Sequence, residues 1–157
     1  MTQQMEQEKI ATKPNLRKRI FAGLIDYSLM FGMSVVMFIY FGEETSTGYK
    51  LEGFPALTTS LIWCFYMIGF ELKFGGTLGN LVFDLQVVSI RDNSTSSLTV
   101  GQSFKRHLVD LLDIWFFGLL GILLIKNTKY NQRLGDLWAK TIVIDSTDSQ
   151  QFYKRFI

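Results

Sequence analysis

Two uninterrupted apolar runs constrain this chain more than any other feature. Ile20 to Phe41 covers 22 residues, and its only charge is Asp26. Phe54 to Leu72 covers 19, and its only charge is Glu71, near the end. At about 1.5 Å per residue, either run crosses the ~30 Å hydrocarbon core of a bilayer. A third run, Leu108 to Ile125, carries Asp110 and Asp113 in its first half. The apolar surface is gathered into these runs rather than spread in amphipathic fashion. The fold class expected is therefore an integral membrane protein, mainly α-helical. It has two transmembrane helices and a third helical segment that either re-enters or spans.

The flanking charges set an orientation. Lys9, Lys13, Arg17, Lys18 and Arg19 precede the first run, while the loop after it holds Glu43, Glu44 and Glu52 against Lys50. Basic residues stay in the cytoplasm, which places the N-terminus inside and the acidic loop outside. The polar, basic N-terminal stretch and the length of the first run do not fit a cleaved signal peptide, so the first span is expected to be retained. The third run is basic on both sides, with Lys105 and Arg106 before it and Lys126, Lys129, Arg133 and Lys140 after it. A helical hairpin breaking near Phe117-Gly118 would put both flanks inside. Such backbone needs protein or a wet cavity around it. The alternative is one straight crossing with an external C-terminus. Gln86–Ile90 and Thr141–Ile144 read as short β-branched strands, joined to the rest by turn residues at 91–94. A cytoplasmic strand pair fits the hairpin. The whole chain, 1–157, is expected to form one domain with a core at about 16–145, and with 1–15 and 146–157 as flexible cytoplasmic tails.

The charges inside the runs form a pattern. Arg19…Asp26 and Arg106…Asp113 share one spacing, close to two helical turns. Thr77-Leu78-Gly79-Asn80-Leu81 aligns with Arg133-Leu134-Gly135-Asp136-Leu137, and this places Val87-Val88 over Val143-Ile144 without a gap. The order Arg, Asp, apolar segment, Leu-Gly, strand occurs twice, as in a parallel internal repeat. Lipid exposure of a carboxylate costs about 2.5–3.5 kcal/mol, so Asp26 must face the interior. Its expected partner is Arg106, a cation or water, and Arg19 is expected to snorkel to lipid phosphates. Asp110 lies one turn before Asp113, and Glu71 lies at the same end of the second span. Arg19, Asp26, Glu71, Arg106, Asp110, Asp113 and Arg133 thus make one candidate network. Its chemistry is either a salt-bridge lock or a place for a cation or proton.

Other chemistry has little to stand on. Cys64 is the only cysteine and His107 the only histidine. A metal site needs several such ligands, so no metal is expected. His107 reads as an interfacial polar residue, and Cys64 as a small apolar one. No nucleophile elbow, phosphate loop or dinucleotide fingerprint is present. No catalytic residue, cofactor or nucleic-acid partner is expected. Gly75-Gly76-Thr77-Leu78-Gly79 reads as a tight turn from membrane helix to strand.

Arg19-x-x-Ala22-x-x-x-Asp26, Glu71 with Gly75–Gly79, Gln86-Val87-Val88, Arg106 to Asp113, and Arg133-Leu134-Gly135-Asp136 with Thr141–Val143 occur in an order that resembles the RDD family. The resemblance spans about residues 16–145. It implies a small bacterial inner-membrane protein, with transport as the role raised for the family. It maps the marker residues to Arg19 and Asp26, and both Asp113 and Asp136 match positions for the second aspartate. Asn80-Leu81 stand where relatives carry Lys-Arg, and His107 where Asn is common. Two functions follow as expectations. One is a transporter of a cation, proton or small solute, working as a homo-oligomer because so few helices enclose no pathway. The other is a structural or accessory module, held by its charges and docking a partner or lipid headgroups.

Overall fold

The computed structural model describes residues 12–91, 94–115 and 119–146, with the side chains of 91–96 and 111–115 set aside. Helix α1 (Leu16–Phe41) holds the first apolar run in 26 residues without a proline. Strands β1 (Glu43–Thr45) and β2 (Gly48–Lys50) close the acidic loop as an antiparallel hairpin, Thr45 opposite Gly48. Helix α2 (Gly53–Cys64) opens the second run, with Pro55 in its first turn, where no intrahelical N–H is lost. The ladder then widens into a π-helical turn, Phe65–Gly69, and tightens again into α3 (Phe70–Phe74). Both α1 and the continuous stretch Gly53–Phe74 are long and apolar enough to cross a membrane.

Gly75 ends the second long helix at φ 78°, a conformation costly for other residues. Its N–H bonds the Glu71 carbonyl at 2.9 Å, and its own carbonyl accepts the Val87 N–H at 2.7 Å. One residue thus ties the helix end to the sheet. The glycine-rich stretch makes the expected turn, and a short helix α4 (Leu78–Val82) follows before β3 (Leu85–Arg91). Strand β3 is central, with β4 (Ser94–Ser96) and β5 (Thr141–Asp145) antiparallel on either side. The two strands read from sequence do pair, and β4 is an addition to them.

The third run forms α5 (Val100–Trp115) and α6 (Leu119–Asn127). The proposed break at Phe117-Gly118 lies outside the described residues. Helix α7 (Leu134–Ala139) packs on α5 at Arg106, so the chain leaves α5 and returns to its first half before entering β5.

Burial on the helices is inside-out. Asp26 is 5% exposed and Glu71 0%, while Phe31 is 72%, Ile39 70% and Phe54 79% exposed. On α5, Gln102, Ser103, Arg106, His107 and Asp110 are buried, while Val100, Phe104 and Leu108 face outward. The apolar core lies at the sheet. Leu85, Val87 and Val143 meet Ala22 of α1 on one face, and Val88, Ile142 and Ile144 gather on the other.

The repeat is visible in three dimensions. Val87 pairs with Val143, its own counterpart, and the flanking pairs exchange partners as a twofold axis through that point requires. Gly79 of α4 presses on the Ala22 carbonyl of α1. Gly135 of α7 presses on the Arg106 carbonyl of α5, where an added Cβ would come within 2.7 Å. These contacts move the helix alignment by three residues. Ala22, not Arg19, is the counterpart of Arg106, and Asp26 corresponds to Asp110 rather than Asp113. Matched side-chain spacing had aligned Arg19 with Arg106, but backbone contact at glycine sets the actual register.

Candidate functional site

The buried charges meet where α1, α3, α5 and α7 converge on β5. Arg106, 1% exposed, is the hub. Its Nε donates to Glu71 Oε1 at 3.1 Å, joining α5 to the second long helix. Its Nη1 donates to Asp136 Oδ1 and, at 3.1 Å, to Thr141 Oγ1, reaching α7 and β5. Ser103, one turn earlier, donates to Glu71 Oε2 at 2.5 Å. The other Asp136 oxygen accepts the Arg133 backbone N–H at 2.9 Å, capping the start of α7. Breaking such a buried pair leaves a charge without compensation, a loss of about 3–5 kcal/mol.

Arg19 does not reach outward to lipid as expected. Its guanidinium is buried, donates to the Val143 carbonyl at 3.1 Å and lies 3.5 Å from Asp136 Oδ2. The reason is the free edge of β5, whose outward carbonyls need donors. Arg19 covers Val143, and Gln132 covers Thr141 at 2.7 Å. Lys18 pairs with Asp145 at 2.5 Å on the same strand.

Asp26 also departs from expectation. Its partners are neutral: Tyr66 Oη at 2.8 Å, Thr77 Oγ1 at 2.6 Å and the Gly79 N–H at 2.8 Å. The π-helical turn carries Tyr66, consistent with the occurrence of such turns at functional positions. Three donors stabilise the carboxylate without an arginine.

Asp110 receives Arg133 Nη1 at 3.1 Å and His107 Nδ1 at 2.9 Å. His107 is 3% exposed and its Nε2 lies 3.4 Å from Glu71 Oε2, so it bridges two carboxylates rather than sitting at an interface. Burial opposes a proton on this ring, but the hydrogen bond of Asp110 and the charges of Glu71 and Asp110 outweigh it and raise its pKa. Three arginines face four carboxylates here, so a protonated His107 balances the described network. The side chain of Asp113 lies outside the described residues.

A polar cavity of about 70 Å³ opens between these groups, bordered by Arg19, Asp26, Arg106, His107, Asp110 and Arg133. A cavity needs roughly 10–15 Å³ to admit one water and a water in the liquid takes about 30 Å³, so it has room for about two. Among the described residues no three His, Cys, Asp or Glu side chains are placed to hold a metal ion.

The structure thus brings together Arg19, Glu71, Arg106, Asp110, Arg133 and Asp136, with Asp26 on the cavity wall. Tyr66, Thr77, Ser103 and Thr141 were not singled out from sequence. Ser103 had a signal, since Ser103, Arg106, His107 and Asp110 repeat at three- and four-residue intervals on one face of α5. Thr77 had one in its alignment with Arg133, and Thr141 stood in the family pattern, whereas Tyr66 had none and is brought in by tertiary packing.

No curated protein and no solved structure matches the chain. The family model described as RDD family matches residues 13–140, which takes in both long helices and the charged residues of the network from Arg19 to Asp136, and ends one residue before β5. The chain belongs to the RDD family.

Proposed function

We propose that this chain is a multi-pass protein of the bacterial inner membrane, with its N-terminus in the cytoplasm and α5–α6 as a re-entrant hairpin. It forms one domain over the full length, and its buried charges act as a lock between two halves. Inside-out burial supports the membrane placement: the exposed side of both long helices is apolar and the charges are inside. The return of α7 to Arg106 and the pairing of β3 with β5 support the hairpin. A reporter fused to the C-terminus tests it. A cytoplasmic readout agrees, and an external one refutes the hairpin.

The observation that carries the lock is the saturation of the carboxylates. Asp26 is filled by three neutral donors, Glu71 and Asp136 by Arg106, and Asp110 by Arg133 and His107. A cation entering would have to displace these partners. The accessory role follows: a rigid membrane module whose cytoplasmic sheet side docks a partner. Asp26→Asn should then lower thermal stability or oligomer content in detergent, and a normally stable, normally assembled variant would count against the lock.

The polar cavity beside Asp26 favours a second reading, a homo-oligomeric transporter of a cation, proton or small solute. It has its own test. In proteoliposomes, Asp26→Asn should abolish cation-driven flux while the fold persists. Absence of flux in the wild-type protein removes this reading.

A further inference from the structure

We propose that the groove between the first half of α1 and Phe83 is a phospholipid site. One acyl chain lies against Phe21, Leu24, Ile25 and Leu29, and the headgroup phosphate sits at Arg17. The proposal rests on the membrane placement above and is independent of the charge network.

Arg17, Phe21, Leu24 and Ser28 follow one another at helical spacing, so they share a face of α1. Beyond Arg17, the side chains of Phe21, Leu24, Ile25, Ser28 and Leu29 border with Phe83 a shallow, open apolar groove of about 460 Å³. Phe83 forms a fixed wall, its ring stacked on Phe21 at 6.0 Å between centroids. The groove runs from Phe21 to Leu29, about 12 Å along the helix, and Arg17 stands about 6 Å beyond its mouth. A chain beginning at phosphate depth fits that order.

Arg17 is the first of three consecutive basic residues. The other two are engaged within the fold, Lys18 with Asp145 and Arg19 with Val143 and Asp136. Arg17 is exposed and has no ion pair or hydrogen bond among the described residues. A guanidinium offers a fork of donors that matches phosphate oxygens. Groove and cation together favour a lipid over a second protein helix, whose flank would have to supply both an acidic group and a slender apolar ridge.

The test uses the full-length chain, extracted in detergent, delipidated and offered dioleoyl phosphatidylglycerol, with native mass spectrometry as readout. One lipid per chain should be retained. Dioleoylglycerol, with the same chains and no phosphate, should be retained about fivefold less, and Arg17→Gln should weaken phosphatidylglycerol to the same degree. That factor corresponds to the ~1 kcal/mol of one basic residue near an acidic surface. Leu24→Trp, which fills the groove, should remove retention. Equal retention of the two lipids, or no change in Arg17→Gln, overturns the site. So does a change of oligomer size in Leu24→Trp with lipid retention intact, which would assign the groove to a second copy. Arg17 is exposed, so its variant serves even if Leu24→Trp does not fold. Recovery of the chain in the soluble fraction without detergent would instead refute the membrane placement.

Discussion

Replacing Asp26 with asparagine and with alanine separates a charge that is needed from an acceptor that is needed. Asp26 Oδ1 accepts from Tyr66 and Gly79, and Oδ2 from Thr77. An asparagine oxygen placed at Oδ1 keeps the first two bonds, and its NH₂ can donate to the Thr77 hydroxyl once that rotates. The loss is the charge-assisted part of each bond, offset by release of a buried charge, about 1 kcal/mol in all. Alanine leaves three donors without an acceptor at about 1–3 kcal/mol each, so roughly 3–9 kcal/mol in total. For a chain of this size 1 kcal/mol moves the melting point by about 2–4 °C. Thermal unfolding in detergent should therefore show Asp26→Asn a few degrees below wild type and Asp26→Ala about 10 °C or more below it. Equal, large losses for both variants would refute the reasoning, because they would mean that the negative charge itself holds a cation or an arginine.

Gly79→Ala should be disruptive, by about 3 kcal/mol or more, since the new Cβ would overlap the Ala22 carbonyl and approach Asp26 Oδ2 within 2.8 Å. Gly32→Ala in α1 meets nothing within 4 Å and should be neutral or stabilising by up to ~1 kcal/mol, which chemical denaturation of the two variants would compare. Arg106→Met should cost about 3–5 kcal/mol by stranding Glu71 and Asp136, and the added change Glu71→Gln should recover part of it, a coupling measured by a double-mutant cycle. His107 has a raised pKa in the fold, so its contribution is complete below the ordinary histidine value and fades as pH rises through the folded value. Melting points across neutral to alkaline pH should fall for wild type and flatten in His107→Gln; equal slopes would remove His107 from the linkage.

Much of this architecture is legible in the sequence because membrane chemistry writes strong signals. Apolar length gave both long helices, and β-branched runs gave β3 and β5. Residues that pair across distance were less legible. A basic residue at a helix mouth ordinarily snorkels to lipid, and nothing local to Arg19 announces that the edge of β5, more than 120 positions later, needs a donor there. His107 was read as interfacial because a single histidine carries no pattern, yet it stands on the same face of α5 as Ser103, Arg106 and Asp110. Charge alone leaves Asp26 to an arginine, a cation or water, whereas its donors in the fold come from a π-helical turn, a threonine and a glycine N–H. Each of these partners depends on how helices meet, and a single sequence records that only through glycines such as Gly79 and Gly135.

The repeat explains why the network is held by ion pairs on one side and by neutral donors on the other. The backbone contact is made twice, Gly79 on Ala22 and Gly135 on Arg106, and in both cases an aspartate follows one turn later on the long helix. In the first half the surroundings are neutral: Ala22 and Gly23 on α1, Thr77 and Asn80 at α4. In the second half the same places hold Arg106 and His107 on α5, Arg133 and Asp136 at α7. Thr77 donates to Asp26 just as Arg133 donates to Asp110. One unit therefore brings a buried carboxylate held by hydroxyls and an N–H group, and the other brings opposed charges that neutralise one another. A second neutral half would have left Glu71 without the Arg106 guanidinium. The asymmetry of side chains on a symmetric backbone is what lets Arg106 bind the second long helix and β5 at once, while Asp26 is held by neutral donors alone.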